Sequence, residues 1–281
     1  MSLASVAAEH GLKRVGARPR FWRYLSEAWR RREFVLAMAQ YRLRAELERN
    51  RLGVLWLMLQ PALNALIYGA IFGILQEGRR GPDFAAHVVI GVFLFQYFSK
   101  SLIQGAKSIT GNQSLVQSLA FPRITLPLAE VIEQLLSLLP SIALLFVILP
   151  FFGHWPTWSW LLLVPLLGLF TLFNVGIALI AARLTVHVRD LTQLLPFVSR
   201  ILFYTSGVLF NVSTLFDKHP WVVQLFDLHP LYQVLQMARA ALMGGHNYDP
   251  MYWAYFSIWS VVVLVIGLLF FWVAEERYGR D

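Results

Sequence analysis

QLLSLLPSIALLFVILPFFGHWPTWSWLLLVPLLGLFTLFNVGIALIAA, Gln134 to Ala182, is 49 residues without an Asp, Glu, Lys or Arg. A hydrocarbon core about 30 Å thick needs roughly 20 helical residues at a rise of about 1.5 Å each. The stretch is therefore long enough for two crossings, and Trp155, Trp158 and Trp160 mark the turn between them at a membrane surface, where indole rings favour the headgroup level. Two more charge-free stretches, Leu52 to Gln76 and Pro250 to Ala274, also reach hydrocarbon length. Lipid offers no water to unpaired N–H and C=O groups, so each run is forced into helix. Apolar and polar residues do not alternate as they would in a β-barrel. The reading is an all-α integral membrane protein.

The remaining composition agrees. Of 281 residues, 57% are hydrophobic and 14% charged, against about 25% charged in soluble domains. Six spans are expected: Leu52–Leu75, Phe84–Ile103, Leu128–Phe152, Trp158–Ala182, Leu191–Phe210 and Met251–Val273. The second and fifth are interrupted by Lys100 and Arg200. Residues 1–52 carry twelve Lys or Arg and five acids. With six spans, Lys107, Arg123, Arg183, Arg189, Arg277 and Arg280 join those twelve on one side, eighteen against Arg79, Arg80, Lys218 and Arg239 on the other. Positive-inside bias then places both termini in the cytoplasm. The charge asymmetry reads as orientation and lipid contact, with no nucleic-acid partner. The first 20 residues show no apolar signal-peptide region, and the chain has no cysteine.

Four regions follow: a cytoplasmic arm (1–30), an interfacial amphipathic helix (31–51), the membrane domain (52–274) and a cytoplasmic tail (275–281). The interfacial helix is expected from Phe34, Met38, Tyr41, Ala45 and Leu52, spaced to share one face. Between the fifth and sixth spans, Leu228, Leu231, Leu235, Ala238 and Leu242 share a helical face. Short external re-entrant helices would bury that face before Gly244, Gly245 and Asn247 break the chain.

Several chemistries lose support. The seven histidines show no i, i+4 pair beside acids, so no metal site is expected. GILQEGRR, Gly73 to Arg80, mimics a phosphate loop but has Arg for both Lys and Ser/Thr and sits at a membrane exit. No catalytic set emerges, and ATP has no site in this chain. Ala65, Gly69 and Gly73 form a small-residue stripe suited to close helix contact, within the chain or between copies. Intramembrane charges are functional candidates because hydrocarbon penalises them. Glu133 and Arg200 enter from the same side to similar depth, and we expect them to pair along a pathway. Lys100, nearer the end of its span, is expected to snorkel.

Four segments together resemble one family. RNRLGVLWLMLQP (Arg49–Pro61), LVQSLAFPRITLPL (Leu115–Leu128), RLTVHVRDLTQLLP (Arg183–Pro196) and HPLYQVLQMARAALMGG (His229–Gly245) are similar, in order, to type-2 ABC exporter permeases. The likeness covers most of residues 30–275 and is nearest to permeases for lipid-linked polysaccharide: O-antigen, capsule, teichoic acid and actinobacterial galactan. GVFLFQYFSKSL (Gly91–Leu102) leans toward the actinobacterial branch. Many relatives have a Ser-rich stretch where this chain has Ala45–Arg51.

The resemblance implies a homodimer joined to two separate ATPase subunits that carry ATP and Mg, exporting a lipid-linked glycan. It implies ATPase coupling through Asn112, Gln113, Leu115, Val116, Leu119, Phe121, Pro122 and Arg123, with Arg189 and Asp190 in the second cytoplasmic loop. The apolar members would contact the ATPase, Arg123 would meet an ATPase acid or a lipid phosphate, and Arg189 and Asp190 would pair. Tyr41, Arg44, Arg49, Arg51 and Trp56 would form a gate at the lipid head group. The alternatives are a type-2 exporter of a small lipophile or drug, a membrane-embedded enzyme, and a passive channel.

Overall fold

The computed structural model describes residues 20–49, 51–75, 83–118, 121–216 and 218–275. Leu119, the phosphate-loop mimic from residue 76 onward, the first 19 residues of the arm and the tail beyond 275 lie outside them. Among the described residues, five helical segments are long and apolar enough to cross a membrane. They are built on α3 (Val54–Leu75), α4 (Phe84–Lys107), α6 (Thr125–Phe151), α7 (Leu163–His187, preceded by a 3₁₀ turn at Trp158–Leu162) and α12 (Tyr252–Val273). The chain is an integral membrane protein and, among the described residues, its regular structure is entirely helical.

α4 is the hub. Most of it is buried, and it packs on α3, α6, α7, the fifth-segment helix α8 (Leu191–Thr205) and α11 (Pro230–Met243). Its FAAHVVIGVFLF run is apolar all round, the pattern of a helix surrounded by others. By contrast α3 is peripheral and exposes Leu63, Leu66, Ile67, Ile71 and Ile74. In its small-residue stripe Ala65 is buried, while a Cβ on Gly69 would meet nothing.

The most extensive helix pair is α7 with α12. In lipid, two apolar surfaces gain little by meeting, so association rests on close van der Waals approach. Gly176 and Gly267 supply it: a Cβ on Gly267 would lie 2.5 Å from the Gly176 carbonyl oxygen, and one on Gly176 2.6 Å from the Val263 carbonyl. Gly267→Leu is therefore expected to lower stability by about 1–3 kcal/mol, the usual range for overpacking. Thermal unfolding in detergent checks this, with Leu268→Ile as a control at a half-buried neighbour.

The fifth segment is shorter than its hydropathy suggests. α8 ends at Thr205, so it has 15 residues rather than the expected 20, or about 22 Å at helical rise. Gly207, at φ +67°, turns the chain there, and the carbonyls of Gly207 and Val208 leave the helical ladder for the Arg239 side chain.

The N-terminal region also differs from expectation. Two helices meet at Arg31, α1 (Phe21–Arg30) and α2 (Arg32–Glu48), so part of the expected arm is ordered helix. α2 packs on α6. Its inward face is Val35, Met38, Ala39, Arg42 and Leu43, one residue out of register with the expected stripe. Phe34, Tyr41 and Ala45 lie on the exposed side. Arg42 is the charged residue of the inward face.

Between α8 and α12 the described residues form α9 (Val212–Leu215), α10 (Pro220–Asp227) and α11. α10 and α11 each begin with Pro, where the missing N–H leaves no bond unmade. Leu231, Leu235, Ala238 and Leu242 are buried, and only Leu228 of that face is exposed. Trp160 and Ser159 of the 3₁₀ turn donate to the Leu242 and Ala241 carbonyls, closing the last turn of α11. Phe210, Phe216, Phe226, Tyr232, Tyr252 and Tyr248 join ring to ring beneath this cap.

Candidate functional site

Between α4 and α6 the chain makes a short 3₁₀ turn, Thr110–Asn112, then α5 (Gln113–Ser118) and a bend at Pro122. On so short a helix only one side can cover the end of the bundle. Val116 and Pro122 are buried, Leu115 and Phe121 half-buried. Phe121 packs against Phe34 of α2, with ring centroids 5.9 Å apart. The expected apolar docking set therefore turns inward, and the outward face is polar: Gln113, Ser114, Gln117 and Ser118.

Each end of this segment is tied to an N-terminal helix. At its start Arg42 forks, one Nη donating to the Glu130 carboxylate of α6 and the other to Asn112 Oδ1 at 3.0 Å. Asn112 in turn donates to the Ser108 carbonyl at 2.7 Å, which fixes its amide. The planar guanidinium suits such a divided contact, where an ammonium would not.

At the other end, Tyr24 of α1 donates from its hydroxyl to Glu275 Oε2 at 2.7 Å and accepts the Ile124 N–H at 3.2 Å. The Arg123 N–H donates to Glu275 Oε1 at 3.0 Å, and the Arg123 guanidinium donates to the Glu275 carbonyl. Burial raises the Glu275 pKa above the usual carboxylate range, while the Tyr24 and Arg123 bonds oppose that shift. Arg123 is thus engaged by the chain's own C-terminal end.

Elsewhere on this side, no ion pair joins Arg189 and Asp190 among the described residues; both are exposed, and Thr192 caps the Arg189 carbonyl at 2.8 Å. Arg183 reaches α12, where its guanidinium lies 3.8 Å from the Phe270 ring centroid and donates to the Phe270 carbonyl. The gate candidates Tyr41, Arg44, Arg49, Arg51 and Trp56 are all exposed along α2, the junction and the first turn of α3. Gly53, at φ +49°, makes the turn between the two helices.

The expected Glu133–Arg200 pair does not form. Arg200 is exposed on α8, whereas Glu133 is buried on α6, and the charges acting on it are Glu130, Arg42, Glu46 and Lys100. Similar depth does not imply a shared face. Lys100 does not snorkel freely: it lines a narrow cleft between α3, α4 and α6 with Gln96, Tyr97, Gln134, Ser137 and Ser141. Among the described residues, no group of three or more His, Cys, Asp or Glu is placed to hold a metal ion.

The residue that reading by charge missed is Arg239. Counted as an external loop charge, it is fully buried. Its Nη2 donates to the carbonyls of Gly207 at 3.0 Å, Val208 at 3.1 Å and His87 at 3.3 Å, and its Nη1 to Gln236 Oε1 at 3.4 Å. Burial pushes its pKa down to about 9, which leaves it a cation at neutral pH. The same burial, with Arg239 nearby, holds His246 down to about 4, so a neutral imidazole meets Gln236 at 2.9 Å. A signal existed: Arg239 lies between Leu235 and Leu242 on a helix whose surrounding face is apolar.

The described residues thus form a helical membrane bundle with a short connecting segment clamped by N-terminal helices. The model of the ABC-2 type transporter family matches residues 33–243, and the chain belongs to that family. It is 26% identical over 240 residues to the O-antigen export system permease protein RfbA of Klebsiella pneumoniae, covering 85% of this chain and 90% of the relative. It is 28% identical over 219 residues to the protein of the same name from Myxococcus xanthus, covering 78% and 83%. It is 27% identical over 237 residues to the polysialic acid transport protein KpsM of Escherichia coli, covering 83% and 90%.

Proposed function

We propose that this chain is the permease subunit of an ATP-driven exporter that moves a lipid-linked polysaccharide from the cytoplasmic to the outer side of the inner membrane. Two copies work with two separate ATPase subunits, which bind ATP and Mg. The names of the relatives support the cargo class. α8 with the turns after it makes a sixth crossing, and the eighteen-to-four charge asymmetry supports cytoplasmic termini. The central helix α4 is packed on all sides, so a polymer passes between copies rather than through one.

The observation that carries the mechanism is the double clamp. The ATPase docks on the polar face of α5, through Gln113, Ser114, Gln117 and Ser118, and ATP-driven closure displaces that segment. Arg42 and Asn112 carry the displacement into α2, and Arg123, Glu275 and Tyr24 carry it into α1 and α12. The gate residues on α2 and at the start of α3 move with it, a rigid-body transmission through a packed interface.

The chain has no cysteine, so Gln117→Cys introduces a unique thiol. It is expected to cross-link to a thiol in the ATPase cleft, and the purified complex is expected to hydrolyse ATP faster with glycan lipid than without. Stimulation by unrelated lipophiles but not by glycan lipids would overturn the cargo assignment. Failure of residue 117 to cross-link, where an Arg189→Cys variant does, would overturn the docking surface.

A further inference from the structure

We infer that α1 is a membrane-surface anchor whose Trp22 and Trp29 insert at the headgroup level of the cytoplasmic leaflet while its arginines bind anionic phospholipid. The inference concerns a surface outside the clamp and stands whatever the cargo.

At about 100° per residue, α1 divides into three sectors. Tyr24, Ala28, Phe21 and Leu25 occupy about 100° of its circumference; the first two are buried and the others half-buried, so this side faces the bundle. Trp29 and Trp22, seven residues apart, lie side by side about 40–60° beyond Leu25. They are 71% and 79% exposed, which for the largest apolar rings calls for a covering surface. Arg30 and Arg23, also seven apart, lie about 100° further round and are exposed. Protein, indole and guanidinium thus follow one another in the order met by a helix lying along a bilayer surface beside a span.

Height is set by contacts of the bundle-facing sector. Glu275, two residues past the end of α12, accepts the Tyr24 hydroxyl, and the Phe21 ring meets Trp272 edge-on with centroids 5.5 Å apart. α1 is therefore held level with the last turn of a hydrocarbon-length helix. Local charge complements an anionic leaflet: Arg20, Arg23, Arg30, Arg31 and Arg32 stand against Glu27 and Glu33, a net of +3. Arg32 lies over the Trp29 ring at 5.6 Å, which brings a cation and an indole to one place at the surface. Indole at the headgroup level beside arginine among phosphates is the favoured disposition of both side chains.

The cysteine-free background allows a direct test on the full chain. Single nitroxide labels at Trp22→Cys and Trp29→Cys, with Gln117→Cys on the exposed polar face of α5 as the aqueous control, are read in vesicles of phosphatidylcholine with and without phosphatidylglycerol. The indole-sector labels are expected to be several-fold less accessible to an aqueous nickel complex, and more accessible to oxygen, than the control. Replacing Arg30, Arg31 and Arg32 by Gln keeps both tryptophans and is expected to abolish any deepening caused by phosphatidylglycerol. Equal aqueous access at all three labels in both vesicle types would overturn the inference. Protection of residues 22 and 29 only after the ATPase is added would do the same, because the face would then belong to a protein partner.

Discussion

Arg42→Ala is expected to uncouple the exporter: ATP hydrolysis by the partner continues while export falls on the order of tenfold or more. Arg42 joins α2 to α6 through Glu130 and to the connecting segment through Asn112. Removing one partner of a fully buried ion pair costs about 3–5 kcal/mol. Here the side chains of Arg42 and Glu130 are 20% and 13% exposed, which reduces the figure to roughly 1–3 kcal/mol after solvent screening. A coupling energy of that size changes a two-state equilibrium about 5- to 150-fold. The measurement is the ratio of glycan exported to ATP hydrolysed in reconstituted complexes. Glu130→Gln, which keeps the Asn112 arm of the fork, is expected to retain more export than Arg42→Ala. If export and hydrolysis fall in parallel with thermal stability, Arg42 is structural and the clamp carries no motion.

Arg239→Leu is expected to give the largest loss of stability of any single change outside the helix crossings. Three main-chain carbonyls from two separate places in the chain share one guanidinium. Hydrogen bonds to a charged donor contribute about 1.5–3 kcal/mol each, and the vacated carbonyls stay buried. A net loss of roughly 3 kcal/mol or more follows, or a fall in Tm of about 10 °C at this chain length. Arg239→Lys is expected to recover part of the loss, since the three carbonyls converge on a single nitrogen, Nη2, while the Nη1 contact to Gln236 is lost. Gly91→Ala tests the same packing from the other side: its Cβ would stand 2.8 Å from Arg239 Nη2. A smaller fall in Tm, less than additive with Arg239→Leu, is expected. Equal Tm for Arg239→Leu and the parent would show that the α9–α11 segment is held by its aromatic cluster alone.

Much of the architecture was legible because lipid imposes a simple rule. Leu52–Leu75 and Met251–Val273 agree with α3 and α12 to within two residues at each end, since hydrocarbon length and the charges beyond them define both boundaries. Leu191–Phe210 was less legible: its hydropathy continues past Thr205, but Gly207 and the demand of Arg239 for carbonyls end the helix early. Among the expected site residues, Asn112 and Arg123 do occupy a junction, yet the chain engages them itself. Their partners Arg42 and Glu275 lie 70 and 152 residues away in sequence, and local pattern carries no information on such pairings.

What the amino acids settled unaided is that this chain lives in a bilayer as a set of helices, because 49 consecutive residues without a formal charge leave the backbone no other way to pair its polar groups. What only the folded arrangement decided is which charges turn inward. Arg42 and Arg239 look like surface residues until buried carboxylate, amide and carbonyl oxygens from distant helices converge on them, and that convergence makes each one cheaper to bury than to expose.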